Sequence, residues 1–99
     1  MTRQITKESI YNFMSAKPYK KSNTRVEIDK DGIAYLYLFN NLIAKRNGNK
    51  IEITMAGWNS NTTRERLNGI PNVSLTQKNF TPYLNGKEID VNAWYEFRV

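Results

Sequence analysis

The chain has 99 residues, a hydrophobic fraction of 39%, a charged fraction of 24% and a net charge of +6 at pH 7. This length and balance predict one globular domain over residues 1–99. It contains no cysteine and no histidine, which excludes disulfides, thiolate zinc sites and the commonest catalytic base and metal ligand. We therefore expect no enzymatic activity, no metal and no cofactor.

The net positive charge indicates what kind of partner the protein could bind. A basic balance favours a polyanion, usually nucleic acid. Lysine and arginine also keep small domains soluble, so this second interpretation stays open. The chain begins Met-Thr-Arg-Gln with no apolar run behind it, and no segment approaches a membrane span in length. We accordingly expect no signal peptide and no membrane partner.

The first predicted element is a helix over residues 6–17. Thr6 has the side chain of an N-cap, and Ile5 before it is placed to pack on Ile10 as a hydrophobic staple. Pro18 would end the helix because proline lacks an amide hydrogen.

Antiparallel strands are predicted from residue 25 to residue 55, where apolar and polar residues alternate around turns at 29–32 and 46–49. The stretch 33–39 has apolar residues on both faces, which is typical of a covered central strand. We expect its aromatic stripe, Tyr35, Tyr37 and Phe39, to pack in the core. The alternative is a stacking platform like those of sheet-based RNA binders.

Further strands are predicted over 73–78, as a hairpin over 83–89, and as an edge strand over 94–99. The fold class is therefore α+β, with an N-terminal helix packed on an antiparallel sheet of about five to six strands and a short second helix. The predicted core consists of Ile10, Phe13, Leu36, Leu38, Ile51, Ile53 and Leu67.

The segment Trp58–Gly69 concentrates polar side chains beside one aromatic ring. Its Thr62-Thr63-Arg64-Glu65 run matches a capping box, which predicts a helix over 63–68, and Gly69 suits a left-handed C-terminal residue. Two interpretations stay open. In one, the helix start and its arginines form an anion site. In the other, the threonines only cap, and Arg66 pairs with a carboxylate such as Glu52.

The same segment carries a resemblance. Together with 42–46, 77–78 and 83–86, the pattern Trp-x-Ser-x-Thr-Thr-Arg-x-Arg-Leu-Asn of residues 58–68 is similar to that of small proteins widespread in tailed bacteriophages. The similarity extends over about half of the chain. It implies a viral origin and a host-cytoplasmic setting, or a place in the virion, and implies no mechanism.

These features together predict a phage accessory protein that binds nucleic acid without catalysis, through a basic surface. Cations would contact phosphates and tryptophan would stack on or support the contact. The predicted site residues are Lys20, Lys21, Arg25, Trp58, Arg64 and Arg66. The alternative is a protein-binding module, either an inhibitor of a host defence or host-takeover target or a minor virion component. Trp58 and Arg64 would then be interface anchors.

Overall fold

A computed structural model describes residues 3–98 of the chain. The described residues form two helices joined to nine strands, with short connections throughout. In chain order they are α1 (Gln4–Met14), β1 (Tyr19–Lys21), β2 (Thr24–Ile28), β3 (Ala34–Leu38), β4 (Asn41–Asn47), β5 (Lys50–Ile53), α2 (Asn61–Leu67), β6 (Leu75–Lys78), β7 (Thr81–Leu84), β8 (Lys87–Glu88) and β9 (Tyr95–Arg98).

The strands form two antiparallel sheets. One has six strands in the order β1-β2-β3-β4-β5-β9, and the other has three in the order β6-β7-β8. This confirms the predicted α+β fold. The predicted last strand is an edge strand, since β9 pairs with β5 alone. Its final predicted residue, Val99, lies outside the described residues, as do Met1 and Thr2.

The core lies on one face of the six-stranded sheet. All seven predicted core residues are buried there, together with apolar side chains from both helices and from β6. Successive residues of a strand point to opposite faces. Leu36 therefore faces this core, while Tyr35 and Tyr37 lie half-buried on the opposite face.

The expectation of a fully packed aromatic stripe was thus wrong. Phe39 lies beyond the end of β3 and is exposed. Tyr37 is covered by the guanidinium of Arg25, 4.1 Å from its ring centre, and the Tyr35 hydroxyl donates to Asp29 at 2.9 Å. These rings pack against polar neighbours on the sheet surface.

Both predicted helix starts were wrong. The first helix begins at Gln4 after Arg3 and ends at Met14, three residues before the predicted end. Thr6 and Ile5 are therefore inside the helix, and the Thr6 side chain bonds to α2 instead of capping.

The second helix is capped by Ser60, whose hydroxyl oxygen accepts from the Thr63 amide at 3.1 Å. Thr62 is not the cap, and the Glu65 carboxylate does not reach back to it. Gly69 is not left-handed; it allows close packing instead. A Cβ there would lie 2.7 Å from a Thr6 methyl and 2.8 Å from Ile10.

Candidate functional site

The site is built around a tight turn between β3 and β4. Leu38 pairs with Asn41, so the turn consists of Phe39 and Asn40, with φ of 51° and 66°. A positive φ is uncommon for a bulky side chain. The turn leaves the Phe39 side chain 61% exposed.

A second turn brings Trp58 to the same end of the molecule. Ala56 and Gly57 both have positive φ, and the Trp58 amide donates to the Met55 carbonyl at 2.9 Å. The Gly57 amide also donates to the Val91 carbonyl at 2.7 Å. This backbone arrangement holds the Trp58 side chain 67% exposed.

Phe39 and Trp58 line one cleft of about 270 Å³. Its apolar lining includes Leu38, Ile43 and Met55, which are buried. Ile43 lies at a register shift in the β3–β4 pairing, where Leu36 faces Ala44 and Tyr37 faces Leu42. Because of this bulge two successive residues, Ile43 and Ala44, are both buried. Polar residues also line the cleft: Asn41, Ser60, Thr62 and Thr63.

A second groove of about 230 Å³ is also lined by Phe39, and two of the predicted site residues line it. Lys20 and Arg25 are cross-strand partners in β1 and β2 and both line this groove. Arg25 donates to the side chain of Asn40 and pairs with Glu27 at 2.5 Å. Phe39 lines both grooves. It therefore joins the basic pair to the Trp58 cleft in one continuous surface, here called the Phe39 surface.

Arg64 lies on α2, is 9% exposed and lines neither of the two grooves. Its guanidinium donates to the side-chain oxygens of Asn59, Asn61 and Gln77. Among residues 3–98, no carboxylate forms an ion pair with it. Neutral amide oxygens fix the orientation of the guanidinium and leave its full positive charge uncompensated.

One comparison with known proteins gives a result. The sequence model of the Kyanoviridae Gp96 protein family matches residues 2–98. The chain belongs to this bacteriophage protein family. Neither the curated proteins nor the solved structures include a match.

In this family member Arg66 is a structural residue. Its side chain is 1% exposed, and it donates from Nε to Thr24 at 3.0 Å and from Nη1 to Thr6 at 2.8 Å. It also pairs with the Glu65 carboxylate, not with Glu52. Burial lowers the pKa of Arg66, and the charge of Glu65 opposes this shift. Its prediction as a phosphate contact is corrected, because the guanidinium has no path to a phosphate.

Lys21 also lies apart from the Phe39 surface. Its ammonium is 3.9 Å from Glu8 on α1, on the helix side of the sheet. Hydrogen bonds from Gln4 and Tyr19 lower the pKa of Glu8, and the charge of Lys21 lowers it further.

Phe39 is the site residue that sequence reasoning missed, because it was counted with the strand. The signal was present in the Phe39-Asn40-Asn41 run, since asparagine tolerates the positive φ of a two-residue turn. Within 3–98, no group of acidic residues is placed to hold a metal ion. No helix in that part of the chain is long and apolar enough to cross a membrane.

Proposed function

We propose that the protein binds nucleic acid without catalysis through the Phe39 surface. The observation that carries this proposal is the continuity of the surface. Lys20 and Arg25 supply cations for phosphates in one of the two grooves that Phe39 lines, and Trp58 supplies an exposed ring in the other. Proteins that bind single strands combine these two elements, a cationic track for the backbone and aromatic rings for the bases.

The charges near this surface support a polyanionic ligand. Lys20 forms no ion pair with any residue from 3 to 98, and the guanidinium of Arg64 contacts only amide oxygens. Arg25 is partly neutralised by Glu27, so Lys20 is the cation of this groove that has no carboxylate partner within residues 3–98, and it gives the groove a positive potential. A ligand with several phosphates would release counterions on binding and gain affinity from this potential. Such a function belongs in the host cytoplasm, where phage nucleic acid is replicated and expressed.

A titration against salt tests the proposal. Log affinity should fall steeply as log salt rises, and Lys20→Ala should reduce that slope by roughly one. Trp58→Ala should weaken binding by about 1–3 kcal/mol with little change of slope, because stacking carries no net charge. Lys21→Ala is the matched control: it removes the same charge from the next residue, whose side chain faces Glu8. Absence of binding to DNA and RNA at low salt by the folded protein would refute the proposal.

The second candidate is a protein-binding module, an inhibitor of a host defence or host-takeover target, or a minor virion component. The exposed rings of Phe39, Trp58 and Phe80 favour it, because exposed aromatic patches mark protein interfaces. Trp58 would then anchor the interface; the predicted second anchor, Arg64, would not, because its guanidinium is buried and bonded to three amide side chains. Binding of this kind would depend on Trp58 and show a shallow salt dependence.

A further inference from the structure

The turn at Phe39 places a bulky side chain at a positive φ, which carries an energetic cost. Type I′ hairpin turns prefer Asn-Gly, because both central residues need a positive φ. The chain uses that solution between β7 and β8, where Asn85 and Gly86 have φ of 50° and 87°. At the β3–β4 turn it places Phe39 in the same unfavourable region and leaves the ring mostly exposed. The Asn79-Phe80 turn places Phe80 in the same region, with φ of 65°, so the backbone conformation alone does not mark a ligand site; of the two rings, Phe39 is the one that lines the cleft.

The cleft beside Phe39 has the size and lining of a site for one flat ring system. Pockets for drug-sized ligands measure about 300–1,000 Å³; this one, at about 270 Å³, lies just below that range and suits a smaller ligand of one ring system. Two exposed aromatic rings line it together with buried aliphatic side chains. Its polar lining includes Asn41 and Thr62, whose side chains make no hydrogen bond to another group within residues 3–98. These side chains are therefore free to bond to the edge of a ring.

We infer that this cleft takes one unstacked base of a single-stranded nucleic acid, while the adjoining phosphates pass Lys20 and Arg25. This inference rests on the proposed function and specifies its ligand. A duplex keeps its bases paired and stacked, so one of them would have to flip out to enter the cleft. A single strand can turn a base out and stack it on aromatic side chains. The positive charge beside Phe39 selects a phosphate-linked base over an uncharged aromatic ligand.

The experiment compares labelled single strands of about 12 nucleotides, oligo-dT and oligo-U, with a duplex of the same length by fluorescence anisotropy at low salt. Both single strands should bind roughly tenfold or more tightly than the duplex, because the duplex bears the cost of flipping a base. The comparison of oligo-dT with oligo-U identifies the sugar that the surface prefers.

The decisive variant is Phe39→Asn, which removes the ring and relieves the backbone. It should raise the midpoint of thermal unfolding and weaken single-strand binding by about 5- to 150-fold, with an unchanged salt slope. Phe80→Asn is the matched control. Phe80 is 89% exposed with φ of 65° in the Asn79-Phe80 turn, and it does not line the cleft. This control should also raise the midpoint but leave the affinity unchanged.

Several results would overturn the inference. Equal affinity for duplex and single strand, with Lys20→Ala weakening both, would mean that the surface binds backbone alone; the proposed function would then stand. An unchanged affinity of Phe39→Asn, or an equal loss in Phe80→Asn, would also contradict a base in the cleft. If Phe39→Asn fails to fold, Trp58→Ala provides the same test, because it removes the second aromatic ring that lines the cleft. No binding of any nucleic acid would refute the proposed function and the inference together.

Discussion

Substituting Glu65 by glutamine should destabilise this protein far more than an ordinary loss of a surface charge. Glu65 is the carboxylate paired with Arg66, whose side chain is 1% exposed while that of Glu65 is 26% exposed. The same carboxylate accepts a hydrogen bond from Thr6, and Arg66 also donates to Thr24. The pair therefore links α1, α2 and β2 at one buried point.

The magnitude follows from the burial of the pair. Removing one partner of a buried ion pair costs about 3–5 kcal/mol, because the remaining charge is left without compensation. Glu65 retains some solvent, and glutamine keeps a side-chain oxygen, so we expect about 3 kcal/mol. In a domain of this size that corresponds to a fall in melting temperature of about 12–24 °C.

Urea and thermal unfolding followed by circular dichroism measure this change. Glu27→Gln is the control, since it removes the same charge from the exposed Arg25–Glu27 pair and should cost about 0.2–1 kcal/mol. The double variant Glu65→Leu with Arg66→Met should recover much of the loss, because apolar residues of similar volume replace buried pairs well. If Glu65→Gln costs no more than Glu27→Gln, the reasoning from burial is wrong.

Three further predictions concern the fold. Leu36→Ala should cost about 2–5 kcal/mol in chemical unfolding, since Leu36 is fully buried in the central sheet; a loss below about 1 kcal/mol would contradict its place in the core. Gly69→Ala should lower the free energy of unfolding by about 1–3 kcal/mol, because the new methyl would lie 2.7 Å from Thr6. Unchanged stability would contradict this close packing of Gly69 on α1. A hydrogen bond from the Ile33 amide is the largest cause that lowers the pKa of Asp29. Asp29 therefore stabilises the fold above its unfolded pKa and loses this contribution as pH falls below about 4. Asp29→Asn should flatten the acid limb of a plot of stability against pH, and an unchanged limb would refute this.

Much of the fold could be predicted because its signals are local. The alternation around Val26, Ile51 and Ile53 requires only that successive residues of a strand face opposite sides. The turns at Gly48 and Gly86 were found because glycine and asparagine accept the positive φ of tight hairpins. Neither signal depends on what the strand packs against.

The helix starts could not be predicted in this way, because a hydroxyl has more than one possible partner. Thr6 and Thr62 have suitable side chains for capping. The N-cap positions are instead Arg3, whose side chain makes no cap hydrogen bond, and Ser60. The Thr6 hydroxyl bonds to residues about sixty positions away. A local pattern cannot show that such a tertiary bond replaces the cap.

The sequence by itself determined the α+β fold class, the buried face of the sheet and the presence of an unusual polar segment beside one aromatic residue. Only the tertiary structure decided which arginines are buried, what they bond to, and where Phe39 lies. Arg66 is buried where α2 meets α1 and β2, and its partners Thr24 and Thr6 lie 42 and 60 residues away in the chain. Phe39 and Trp58 share a cleft because the turns that follow β3 and β5 lie at the same end of the sheet. Charge and side-chain type can be read along the chain, whereas burial and adjacency depend on contacts between segments that are distant in sequence.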